Sequence, residues 1–206
     1  MVFYKLRNTL LLALSIGCLT LSAYLAYLII FEPDRGVIQV GGPFSLTDHD
    51  GAVFTDESFR GRYMMIYFGY TYCPDICPTK LAEMTIALDR FAERSPARAE
   101  EVVPIFISVD PERDTPAVLG DYRRHFHPRL LAATGPLPDL RELAKAYKVY
   151  FQKVEPEDGG SGDDLAYLID HSTNVYLMGE DGRYLTHFTL STPVETMVED
   201  LDRLVR

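Results

Sequence analysis

An α/β sandwich with a mixed sheet, preceded by one N-terminal transmembrane helix, is the architecture that this 206-residue sequence predicts. Three observations carry the expectation. Asn8 to Phe31 contains no charged residue, and a run of roughly 20 apolar residues suffices to span a bilayer. Beyond it, continuous apolar runs of strand length alternate with segments of helical periodicity. Finally, Asp50-Gly51 and Asp181-Gly182 each separate two short apolar segments, the signature of a β-hairpin.

Each element follows in order. Residues 1–7 are a short head containing Lys5 and Arg7, whereas Glu32 and Asp34 follow the apolar run, so the positive-inside rule leaves the head in the cytoplasm. The rest then faces the periplasm of a bacterium or the intermembrane space of a mitochondrion. A head this short, with no Ser/Arg-rich presequence, favours the bacterial inner membrane. The run continues through Leu28-Ile29-Ile30-Phe31 without a small-residue cleavage site, which argues against a removed signal peptide. It also extends well past Cys18, which is read as a small apolar residue in lipid rather than a lipidated first residue.

Residues 32–43, broken by Pro33, Gly36, Gly41 and Gly42, form a tether, and residues 44–206 form the domain. Phe44-Ser45-Leu46 and Ala52-Val53-Phe54 make the first hairpin. Tyr63 to Phe68 and Val102 to Val109 are buried strands of the kind found inside a sheet. Met64 and Met65, soft enough to ligate a metal, lie in the first of these and are read as core. Leu81, Met84, Leu88 and Phe91 place a helix over Thr79 to Arg94. Thr115 caps a helix opened by Pro116 and running towards Phe126. Leu137 to Tyr147 is helical, Val149 to Val154 a strand, and Glu155 to Asp164 an acidic, Gly-rich loop. Asn174 to Met178 and Arg183 to Phe188 form the second hairpin, and a helix from about Pro193 closes the chain. This order is that of a thioredoxin-like sandwich.

The net charge is −10, which becomes −12 once Lys5 and Arg7 are set aside. Without a basic patch to neutralise phosphates, nucleic acid is excluded as a partner.

Only Cys73 and Cys77 lie beyond the apolar run, in a loop between strand and helix. Pro78 suits a first helical position, which puts Cys77 at or just before the helix N-terminus. Unpaired N–H groups and the helix dipole favour a thiolate there, the form that both binds metals and attacks disulfides. A structural disulfide across so short a loop would restrain little of the unfolded chain. Two thiolates seldom complete a metal site, so a third donor is sought among five histidines. His49, His125, His127 and His187 read as surface or capping residues. His171, between a polar loop and an apolar strand, is a candidate that spacing alone leaves open.

Residues 40–206 resemble the Sco/SenC family of copper proteins. The matching stretches are Gly69-Tyr70-Thr71-Tyr72-Cys73-Pro74-Asp75-Ile76-Cys77-Pro78-Thr79, then Phe106-Ile107-Ser108-Val109-Asp110-Pro111-Glu112-Arg113-Asp114-Thr115, and Asp170-His171-Ser172, in the family's order. The resemblance implies one copper held by Cys73, Cys77 and His171, with Asp170 orienting or gating the histidine. It further implies copper delivery to the dinuclear copper centre of cytochrome c oxidase during assembly. The expected partners are the copper-bearing oxidase subunit and other periplasmic copper chaperones. Thiolates suit Cu(I) and imidazole suits Cu(II), so this donor set can hold both; zinc would want a fourth ligand. The alternative is a thiol–disulfide oxidoreductase using Cys73 and Cys77 as a redox-active pair that forms a disulfide bond. Three residues rather than two between the cysteines, and the candidate histidine, count against it; peroxide chemistry has only the cysteine loop in its favour. The Asp110 to Thr115 stretch is read as structural, with partner docking as the other possibility.

Overall fold

A computed structural model describes residues 2–30, 39–154 and 167–206, in two compact units divided after Ile38. The first unit contains helix α1 (Val2–Ile30), in which Cys18 is exposed. Among the described residues no helix is long and apolar enough to cross a membrane. The spanning role expected of residues 8–31 is therefore not shown. Phe31, most of the tether, and the acidic loop Glu155 to Asp164 lie outside the described residues.

The second unit is built on a seven-stranded sheet in the order β2-β1-β5-β4-β3-β8-β9. Its strands are β1 (Ser45–Asp48), β2 (Val53–Thr55), β3 (Tyr63–Gly69), β4 (Val102–Ser108), β5 (Leu131–Thr134), β8 (Val175–Met178) and β9 (Tyr184–Phe188). β3, β4 and β5 run parallel, whereas the outer pairs are antiparallel, so the sheet is mixed as expected. β3 and β4 are buried along their whole length, which is why both read as unbroken apolar runs. Met64 and Met65 lie in this core at 2% and 0% exposure, which rules out their offering sulfur to a surface metal.

The parallel β3–β4 pair needs a crossover, supplied by α2 (Ile76–Arg94) and the short α3 (Pro96–Glu100). α2 turns Leu81, Met84, Leu88 and Phe91 into the core at the predicted spacing. The amphipathic closing helix α6 (Val194–Leu204) packs beside it with Met197, Val198 and Leu201 buried. Lys80 on α2 is fully buried, and its ammonium meets Glu83 and the Thr189 and Leu190 carbonyls, tying α2 to the loop after β9. α4 (Pro116–Arg123) opens as predicted, with Thr115 Oγ1 accepting from the Val118 N–H at 3.4 Å. α5 is Leu137–Ala146. β6 (Phe151–Val154) and β7 (Leu168–His171) form a separate two-stranded ladder.

Four elements were not foreseen, the first a 3-10 helix over Asp56–Phe59. β5 holds two alanines among its four residues and little intrinsic strand preference; pairing with β1 and β4 on both sides makes it a strand. α3 is one turn, and β7 extends to His171, which the sequence places before a strand rather than in one.

Of the histidines set aside, His125 and His187 are exposed, and Nδ1 of half-buried His49 meets the Ala132 carbonyl at 3.2 Å. Of the surface and capping roles read for His127, the structure shows burial and a cap on a backbone N–H. Its Nδ1 accepts from the Arg129 N–H at 3.1 Å, and its own N–H donates to Thr85 Oγ1 at 3.1 Å. Burial, aided by the charge of Arg129, depresses its pKa below the ordinary 6.5. The unfolded chain then takes up this proton more readily than the folded one. Its contribution is complete above about pH 6.5 and is lost as pH falls through the folded value. Urea midpoints between pH 7.5 and 5 should decline less steeply in His127→Gln than in the parent chain.

Candidate metal centre

β3 ends at Gly69, and the chain crosses a short loop before entering α2 at Ile76. Cys77 is the second residue of α2 and Pro78 the third, so the helix starts two residues earlier than Pro78 suggests. Proline is tolerated there because N–H groups of a first turn have no intrahelical partner to lose. Asp75, at the N-cap, makes no side-chain capping bond. The acceptor is instead the Cys73 sulfur, which receives the Cys77 N–H at 3.4 Å. The helix terminus therefore favours a thiolate at Cys73, not at Cys77 as the sequence suggests.

Both cysteines are free, Cys73 half-buried and Cys77 fully buried. A hydrogen bond from the Cys77 thiol pulls the Cys73 pKa down to about 3, with the backbone N–H groups of Cys77 and Asp75 adding to it. The same pairing, and then burial, push Cys77 up. One proton shared within the pair leaves the outer sulfur anionic.

His171 comes from the other side of the chain, at the end of β7. Its Nε2 lies 3.3 Å from Cys77 Sγ, and its Nδ1 2.9 Å from the Ser172 carbonyl oxygen. A carbonyl can only accept, so Nδ1 carries the proton and the Nε2 lone pair faces the sulfurs. Tyr70 packs edge-on against the imidazole with ring centroids 5.7 Å apart, and Tyr67 does so at 6.2 Å. One donor atom from each of Cys73, Cys77 and His171 lies within 4.8 Å of the other two, and together they could hold a metal ion. A metal–sulfur bond of roughly 2.3 Å is compatible with donors so spaced. An open cleft of about 310 Å³, lined by Cys73, Ile76, Leu168 and His171 among others, leads to them.

Asp170 does not touch the imidazole among the described residues. It is exposed, with neighbours Ile169 and His171 less so, as strand alternation requires, and the Ser172 carbonyl occupies the orienting position. Tyr67 was missed: its hydroxyl lies 3.6 Å from Cys77 Sγ. Gly69 was missed too. Tyr67 and Gly69 are two apart in a strand, so they share the face beneath Cys77. A Cβ on Gly69 would stand 2.8 Å from Cys77 Sγ and 3.0 Å from Phe106. Gly69→Ala is expected to destabilise the domain by about 1–3 kcal/mol, the usual cost of overpacking. Thermal unfolding should show a lower midpoint, accompanied by altered alkylation of Cys77.

A thioredoxin-like sheet, with two cysteines at the first crossover and a histidine from a separate two-stranded ladder beside them, defines the class as a thioredoxin-like domain whose thiolate–imidazole group could hold a metal ion. The SCO1/SenC family model matches residues 32–206, and the chain belongs to that family. An SCO2-like protein of Rickettsia prowazekii is 38% identical over 162 residues, covering 79% of this chain and 75% of its own. The copper-bound crystal structure of ScoI from Arabidopsis thaliana is 38% identical with a TM-score of 0.72, covering 80% of this chain and 96% of that one. Copper-bound ScoI of Bradyrhizobium japonicum is 41% identical with a TM-score of 0.68, covering 80% of this chain and 98% of that one.

Proposed function

We propose that this chain binds copper through Cys73, Cys77 and His171 and delivers it to the dinuclear copper centre of cytochrome c oxidase during assembly. The observation that carries the reading is the convergence of two sulfurs and one imidazole nitrogen within 4.8 Å at the foot of an open cleft. Two soft donors and one borderline donor suit Cu(I) and Cu(II) in turn. Copper is cargo here. Cys73, already anionic and half-exposed, offers itself first to an incoming acceptor, whereas Cys77 and His171 remain fixed by Tyr67, Tyr70 and the Ser172 carbonyl. A three-donor site with an open side permits ligand exchange that a closed four-ligand cage would not.

The charge-free run 8–31 is assigned as a membrane anchor, on its length and the flanking Lys5 and Arg7, with the copper domain on the periplasmic side. The copper-bearing oxidase subunit is the acceptor in this reading, and other periplasmic copper chaperones are the source. Asp170, exposed beside His171, is assigned a gating role at the cleft, whose wall it helps form.

A second reading is favoured by the free Cys73–Cys77 pair at the start of α2, where the Cys77 N–H donates to the half-exposed Cys73 sulfur at 3.4 Å. As a thiol–disulfide oxidoreductase, the Cys73 thiolate attacks a partner disulfide, forming a mixed disulfide and expelling one partner thiolate. Cys77 then attacks Cys73, releasing the second partner thiol as two electrons pass to the partner and a Cys73–Cys77 disulfide forms. The two are separated by mixing the copper-loaded full chain, in detergent, with the copper-free, reduced copper-bearing domain of the oxidase. Transfer predicts growth of the dinuclear copper absorption and loss of copper from the donor. If copper stays on the donor while an oxidised acceptor domain is reduced in a control, the oxidoreductase reading replaces delivery.

A further inference from the structure

The Asp110 to Thr115 stretch joins the two halves of the metal centre. Cys77 and His171 are 94 positions apart. Among the described residues, the β6–β7 ladder that carries His171 is hydrogen-bonded as strands to no member of the main sheet. Something other than strand pairing must therefore fix the separation of imidazole and sulfurs.

Arg113 is placed to do so. Its side chain is 3% exposed, and its guanidinium lies 3.6 Å from the ring centroid of Tyr167, 4.8 Å from that of Tyr72 and 5.6 Å from that of Tyr70. Tyr70 and Tyr72 belong to the loop that leads into Cys73, and Tyr70 also packs on the His171 ring. Tyr167 immediately precedes β7. Arg113 Nη1 donates to the Tyr167 carbonyl at 2.8 Å, and its Nε donates to Asp110, whose other oxygen accepts from the Tyr167 hydroxyl at 2.6 Å. The adjacent Asp114 accepts from both the N–H and the hydroxyl of Thr71 in the cysteine loop. One turn of chain thus holds the cysteine loop with one hand and the histidine strand with the other. Only a planar, permanently charged fork can stack on aromatic faces and make directed bonds at the same time.

We propose that Arg113 is a positioning residue that sets the His171 imidazole against Cys73 and Cys77, acting through Tyr70, Tyr72 and Tyr167. The proposal rests on the copper reading above and makes a claim specific to oxidation state. Cu(I) is held mainly by the two thiolates, whereas Cu(II) depends on the imidazole. Releasing Arg113 should therefore cost Cu(II) more than Cu(I).

The test uses the full chain in detergent with Arg113→Gln, Arg113→Lys and Leu201→Ala. The last leaves a cavity in the core beside the closing helix α6 and touches none of the residues through which Arg113 acts. Arg113→Gln is expected to lower Cu(II) affinity roughly 10–100-fold, the range for losing a group that orients a metal ligand. Cu(I) affinity should change far less, and the thiolate-to-Cu(II) charge-transfer band should shift. In the copper-free chain, long-range proton–nitrogen NMR of His171 should change from one Nδ1–H tautomer to an averaged signal. Leu201→Ala should keep the parent spectra at a lower melting midpoint, so that stability loss and site geometry are told apart. If Arg113→Gln does not fold, Arg113→Lys, which lacks the fork, carries the same expectation at smaller amplitude. Parent-like spectra and an unchanged Cu(II)-to-Cu(I) affinity ratio in the Arg113 variants would overturn the proposal, as would equal shifts in Leu201→Ala. A parent chain that binds no copper would remove the copper reading instead, and the NMR signal of the copper-free chain would still decide the role of Arg113.

Discussion

Cys77→Ser is expected to lower Cu(I) affinity by more than about 100-fold, because even an outer group that orients a ligand is worth 10–100-fold and Cys77 supplies a donor atom itself. The hydroxyl that replaces the sulfur is a hard, neutral donor that Cu(I) does not favour. The effect should exceed that of losing Cu(I) affinity through His171, which contributes a nitrogen to an ion already held by two sulfurs. Cys77 is also the thiol that holds Cys73 anionic at neutral pH. Cys77→Ala, which unlike serine leaves no side-chain donor beside Cys73, should therefore alkylate more slowly at Cys73 below neutrality, where the parent thiolate persists. Competition with a Cu(I)-binding dye measures the first effect, and iodoacetamide labelling against pH measures the second. Unchanged dye competition would remove Cys77 from the donor set.

Phe68→Ala is expected to destabilise the domain by about 3–5 kcal/mol, the cost of deleting a buried aromatic and leaving its cavity. Phe68 is fully buried in the central strand β3, one residue before Gly69, with its ring 5.4 Å from Tyr147 and 6.3 Å from Tyr176. These two tyrosines come from α5's end and from β8, so the cavity would open between three elements rather than collapse onto one. For a domain of this size each kcal/mol shifts the melting midpoint by roughly 2–4 °C. A scanning calorimetry midpoint within a degree or two of the parent would contradict this account of the core.

The elements legible in the sequence are those whose pattern is local. β3 and β4 announce themselves as apolar runs, the Thr115-Pro116 cap as a pair of residues, and the hairpins as Asp-Gly turns, with Gly182 at φ +77° and Gly51 at φ +84°. β5 was not legible because its strand character comes from neighbours distant in sequence. The same holds within the metal centre. The cysteine loop could be read from its spacing and its place before a helix, but which sulfur carries the charge depends on the Cys77 N–H reaching back to Cys73. His171 stood out only through the family resemblance, since nothing local distinguishes it from His127, which proved to be buried and engaged elsewhere. Tyr67 and Gly69 look like ordinary strand residues until the crossover helix sets Cys77 above them. The one available signal was a glycine closing a buried strand immediately before a cysteine loop.

The most direct test of the central claim is copper stoichiometry and visible absorption of the full chain, reduced and then loaded with copper, beside His171→Ala. The account predicts one copper per chain, thiolate-to-Cu(II) charge-transfer bands, and loss of those bands in the variant while Cu(I) is still retained by the cysteines. A parent chain that retains no copper, or a variant whose Cu(II) spectrum matches the parent's, would contradict it.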